Sequence, residues 1–181
     1  EISSRGEKLP HYTEVGVGFS KMCLTPMLEY GRQALEDNKK GVATEALEQV
    51  VLAIVVTTAI VSIFLTRDFT PDYNSGLAHA CFYALTAYPV IEKEHLHGEV
   101  VGFGVLYALL VDGQQEEFEK IYALNKELGL PVRIADIGIT EEQFFETMDR
   151  IPQMSDIRHY PYAVTKEMLM QAYETIEQLP V

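Results

Sequence analysis

A mainly helical fold is the class this sequence predicts, on three observations. Apolar residues recur at spacings of three and four along most of the chain, Gly and Pro punctuate those runs, and strand–helix alternation is lacking. With 181 residues and 48% apolar content the chain has the material for one domain with a sizeable core. Residues 1–181 carry no internal repeat, low-complexity tract or linker-like stretch, so a single all-α, multi-helical domain is expected.

The elements follow in order. From Val15 to Ala34 the apolar spacing is helical, and Pro26 is expected to break or kink it, giving two short helices, with Asn38-Lys-Lys-Gly41 as a C-terminal stop. Thr44 to Thr66 opens as an amphipathic helix, with Glu45, Glu48 and Gln49 opposite Ala46, Leu47, Val50 and Val51. From Val50 to Thr66 no residue is charged, approaching the roughly 20 residues that span a bilayer. The acidic start, the mixed Arg67-Asp68 end and the lack of a basic anchor cluster favour a buried core helix over a membrane span. Pro71 to Gly76 is a polar loop leading into a helix from Leu77, with His79 in its first turn and Pro89 beyond its end. A loop from Pro89 to Leu96 precedes His97 to Val111, whose length favours helix over strand, stopped at Asp112-Gly113. Phe118, Ile121, Tyr122 and Leu128 trace one face of an acidic helix that ends at Gly129 and Pro131. Thr140-Glu-Glu-Gln143 is a capping-box pattern ahead of Phe144, Phe145, Met148 and Ile151. Thr165 caps a last helix carrying Met168, Leu169, Ala172, Tyr173 and Ile176.

Composition excludes several function classes. A formal net charge of −13 opposes nucleic acid and anionic membranes, both polyanions that bind through Lys and Arg patches. Small molecules and proteins are the expected partners. Cys23 and Cys81 lie in apolar surroundings without a disulfide pattern, and no Asn-x-Ser/Thr sequon occurs, which fits a reducing, cytoplasmic setting. The chain starts at Glu1, and its polar start, Ser3 to Lys8, has no signal-peptide core.

The chemistry centres on His79, in Gly76-Leu-Ala-His-Ala80, and His97, in His97-Gly-Glu99. Neutral imidazoles suit zinc and ferrous iron, and a catalytic site of that kind needs about three protein ligands with one position left open. Two histidines at this separation do not by themselves make a metal site, because a buried histidine is more often a hydrogen-bonded core residue. His95 offers a third imidazole, although its loop position favours a solvated side chain, and His11 and His159 show no ligand spacing. Glu99 either orients a ligating histidine or caps its own helix, and a helix N-terminus favours a carboxylate without any catalysis. The Gly-x-Gly pairs Gly16/Gly18 and Gly102/Gly104 do not complete a dinucleotide fingerprint and read as helix packing. The acidic faces at Glu116 to Glu127 and Glu141 to Glu146 read as solvent faces.

Longer words in the sequence carry a resemblance. Gly76-Leu-Ala-His-Ala80, Ala84-Leu-Thr86, Glu92-Lys93 and Leu96-His-Gly-Glu-Val-Val-Gly-Phe-Gly104 resemble the C-terminal helical domain of the iron-containing alcohol dehydrogenase superfamily, whose fold is dehydroquinate synthase-like. Glycerol dehydrogenases are the branch most alike, and the similarity extends from Leu28-Glu-Tyr-Gly31 to Ile157-Arg-His-Tyr-Pro-Tyr162 and the last helix. The ending around His159 also resembles the hydroxycarboxylate dehydrogenases.

That resemblance implies His79 and His97 as two metal ligands for zinc or iron, with the family's third ligand, an aspartate, lying upstream of this chain. It also implies an N-terminal Rossmann-like domain that holds NAD(P), to which nothing here corresponds, so a truncated piece of a longer dehydrogenase is expected, inactive alone. A metal held there would activate the hydroxyl of a small alcohol or hydroxy acid for hydride transfer to NAD(P). One departure stands out. Many members carry a further histidine three residues after the first ligand, suspected of relaying the substrate proton, and here that position is Phe82, beside Tyr83. Separation from a partner domain is expected to leave apolar area exposed and to favour a homo-oligomer. Two other classes remain open: a stand-alone helical protein-association module, and a non-catalytic derivative of the dehydrogenase fold.

Overall fold

The computed structural model describes residues 1–66 and 73–180, and among them every regular element is helical, in line with the all-α expectation. The chain gathers into two compact units, the first running to Asn74 and the second beginning at Ser75.

The first unit is a helical hairpin. Its long arm, α1 (His11–Lys40), passes unbroken through Pro26, so the expected division into two helices does not occur. Proline deprives the Met22 carbonyl of its usual donor, but Met22 lies 54% exposed, where water can replace it. The helix ends as predicted at Gly41, whose φ of 68° lets the Val42 N–H return to the Asp37 carbonyl at 2.9 Å. The return arm opens with α2 (Glu45–Leu52), passes through a π turn at Ala53–Thr57 and continues as α3 (Thr58–Leu65). The Ala53 carbonyl accepts both the N–H and the hydroxyl of Thr58, which accounts for the widened turn.

Contacts at both ends help to hold the arms together. At the turn, the buried Asp37 carboxylate accepts the Thr44 hydroxyl at 2.5 Å and Gln33 Nε2 at 2.7 Å, while the Thr44 oxygen accepts the Leu47 N–H and so caps α2. At the far end, a Cβ on Gly16 would lie 2.8 Å from Phe64 Cβ and 2.9 Å from Leu65 Cδ2, so only glycine lets α1 and α3 approach this closely.

The return arm departs from expectation in its burial. It is helical, but only 11% of its most apolar stretch is buried, and Val55 and Ile63 stand 62% and 72% exposed. Ala53, Val61 and Leu65 turn inward; a helix that is apolar all round needs cover on both sides, and α1 supplies one. By length and composition alone, Glu45–Leu65 is also able to cross a membrane.

The second unit holds α4 (Leu77–Leu85), α5 (Pro89–Glu94), α6 (His97–Val111), α7 (Gln115–Leu128), α8 (Glu141–Arg150) and α9 (Lys166–Glu177). The loop expected from Pro71 lies partly outside the described residues, and the loop expected from Pro89 is instead α5. Proline takes the first helical position there, where a missing N–H costs nothing. At the centre is α6, with Val100, Phe103, Leu106 and Tyr107 inaccessible to solvent against Leu77, Cys81 and Leu85 of α4 and Met148 and Leu169 beyond. Rings of Phe103, Tyr107, Phe144 and Tyr173 stack through this core with centroids 5.0–6.0 Å apart. A Cβ on Gly104 would lie 2.6 Å from the Ala78 carbonyl oxygen, so α4 and α6 meet backbone to backbone. Helix packing thus explains Gly16 and Gly104, whereas Gly18 meets nothing and Gly102 only Asn125 Nδ2 at 4.0 Å. The predicted caps form at Thr140 with Gln143 and at Thr165 with Met168.

Candidate metal centre

The backbone contact between Gly104 and Ala78 sets the spacing on which the site depends. Ala78 meets Gly104 while Phe82 meets His97, so α4 and α6 run in opposite senses and the start of each carries one histidine. His79 occupies the first turn of α4, as predicted. The Tyr160 hydroxyl accepts the Leu77 N–H at 3.1 Å, which braces that turn from the segment after Ile157. His97 is the first residue of α6, and Glu99 Oε2 accepts the Leu96 N–H at 3.0 Å. Glu99 therefore caps the helix, the simpler of its two readings.

The structure brings His79 and His97 together. Their ring centroids are 5.6 Å apart with planes tilted by 44°. Two imidazoles on one tetrahedral zinc, with bonds of about 2.0–2.1 Å, have ring centres roughly 5 Å apart, so this spacing suits a shared ion. Burial, and then the neighbouring His97, hold the His79 imidazole below its usual range, while the Asp156 carboxylate pulls the other way. A neutral ring, with a nitrogen lone pair to offer, is the form a metal takes. The donor set stops at two. Among the described residues no group of three His, Cys, Asp or Glu side chains could hold an ion.

The other histidines lie elsewhere. His95, expected in solvent, is a correction: its side chain is only 15% exposed, beside Glu99 at 3.6 Å. It lines a cleft of about 590 Å³ with Lys126, Arg133 and Asp136, which neither His79 nor His97 lines. His11 is exposed near Glu14, and His159 is half-buried after the turn at Ser155–Ile157. Sequence reasoning singled out the Phe82 position but not its contact, and it missed Asp156 altogether. Phe82 packs edge-on against His97 at 4.3 Å, and half-buried Asp156 acts on His79 from a distant part of the chain. Nothing in the spacing of Asp156 could have announced it.

No family model matches the chain. A glycerol dehydrogenase from Escherichia coli is 31% identical over 131 residues, covering 72% of this chain and 33% of that protein. One from Thermotoga maritima is 28% identical over 169 residues, covering 88% and 43%. The chain thus spans a third to somewhat under half of the length of these relatives. Among solved structures, a probable glycerol dehydrogenase from Sinorhizobium meliloti superposes with a TM-score of 0.75 over 92% of this chain and 47% of that one, at 20% identity, which shows a shared fold. In sequence and in fold, this chain is a homologue of the glycerol dehydrogenases, its helices matching a helical portion of those proteins as the resemblance to the iron-containing alcohol dehydrogenase superfamily implied.

Proposed function

We propose that this chain is the metal-binding portion of an NAD(P)-linked, metal-dependent dehydrogenase of polyols or 2-hydroxy acids, with His79 and His97 as ligands. The approach of the two rings to 5.6 Å carries the reading. A zinc or ferrous ion bound there supplies Lewis-acid activation of a substrate hydroxyl. The chain's own part is to present two imidazoles from helices fixed by the Gly104–Ala78 contact, with burial favouring the neutral form of His79. Phe82 carries no exchangeable proton, so the substrate proton leaves through water or another group. Two donors fall short of the three a catalytic zinc takes, so the described residues do not complete the site and this chain alone is not expected to turn over.

The test is NAD(P)H formation by the complete gene product with glycerol, other polyols and 2-hydroxy acids. Activity should vanish on chelation, return with zinc or iron, and fall at least about a hundredfold in His97→Ala. Activity indifferent both to chelation and to that substitution would overturn the proposal.

A second reading, association through the helical hairpin, is favoured by one observation: the exposed apolar side chains of α2 and α3. It is compatible with the first, and makes a homo-oligomer the expected assembly.

A further inference from the structure

We propose that Phe82 is a positioning residue that holds the His97 imidazole toward His79; this rests on the reading of both histidines as metal ligands. A ligating histidine is ordinarily oriented by a hydrogen bond from its second ring nitrogen to a carboxylate, carbonyl or water. His97 sits exposed at the first position of α6, and among the described residues no protein hydrogen bond or ion pair holds its ring. Besides the His79 ring at 5.6 Å, its ring neighbour is Phe82, at 4.3 Å between centroids and 81° between planes. Edge-to-face packing restricts the tilt and swing of the imidazole, which a lone apolar neighbour without a ring does not.

The placement of Phe82 suits that role. It follows His79 by three residues and so shares its face of α4, is half-buried, and is backed by the Tyr83 ring at 5.3 Å. Close contact between Gly104 and Ala78 fixes the spacing between α4 and α6, and with it the height of Phe82 beside His97. One helix face therefore supplies the first ligand and the brace for the second. A phenyl ring cannot relay a proton, so its contribution here is geometric. An imidazole free to rotate populates orientations that turn away from the ion, and apparent affinity falls in proportion to the competent fraction.

The experiment is a zinc titration of the complete gene product, with ring-labelled histidine followed by NMR, in wild type, Phe82→Leu and Phe82→Tyr. Leu keeps apolar bulk without a ring, and Tyr keeps the ring. Phe82→Leu should lose the ring-current displacement of the His97 signal and bind zinc about three- to tenfold more weakly at an unchanged melting temperature, while Phe82→Tyr keeps both properties. Phe82→Met serves the same comparison if leucine is not tolerated. Zinc that moves both imidazoles with equal affinity in wild type and Phe82→Leu overturns the positioning role alone. Zinc that moves neither imidazole in wild type removes the metal-ligand reading, and the positioning role falls with it.

Discussion

Cys81 is wholly buried in the second unit, and that burial pushes its thiol up to about 12, whereas Cys23 is half-buried beside the Thr58 hydroxyl. Alkylation needs both access and thiolate, so at pH 8 the folded chain should take one label, at Cys23, and a second only in denaturant. Peptide mapping after iodoacetamide treatment reads this directly; labelling of Cys81 at a comparable rate in the folded protein would contradict the packing of α4. At this scale the sequence was legible where chemistry is local. The two histidine motifs announced themselves by their surrounding words, and Glu99 as a cap follows from standing three residues after Leu96. The Phe82–His97 contact was not legible, because it depends on α4 and α6 crossing in opposite senses at a fixed depth. The influence of Asp156 on His79 has the same origin in tertiary packing.

Helices were foreseen as helices, and errors gathered at prolines and boundaries. Pro26 leaves α1 whole because its cost is one unpaired carbonyl on an exposed face, and Pro89 starts a helix because the first position needs no N–H. Neither outcome follows from the proline itself, since both depend on which groups around it face water. The glycines of α6 give a sharp element-scale test. Gly104→Ala places a methyl 2.6 Å from the Ala78 carbonyl oxygen and should cost about 1–3 kcal/mol as α4 and α6 are forced apart. Gly102→Ala meets only Asn125 Nδ2 at 4.0 Å and should be neutral or stabilising, by up to about 1 kcal/mol from helix propensity. Urea unfolding of the two variants checks the pair; equal effects would mean that the helices are not in backbone contact.

For the whole molecule, the sequence showed how apolar the return arm of the hairpin is but not which sides of it are covered. Burial depends on how many neighbours a helix has, and an uncharged run reads alike in a core, at an interface or in a bilayer. With Val55, Ile63 and their neighbours exposed, the chain should self-associate at micromolar concentrations despite its net charge of −13, more strongly as salt screens that charge. Val55→Lys combined with Ile63→Lys should shift sedimentation velocity toward monomer without loss of helicity; an association unchanged by both would move the interface elsewhere. The central claim remains that one ion is shared between α4 and α6. Zinc binding to the complete gene product by equilibrium dialysis, beside His79→Ala and His97→Ala, tests it most directly. We predict one zinc per chain, with affinity reduced at least about tenfold in each variant. Wild-type affinity in either variant would show that the two imidazoles do not act on one metal.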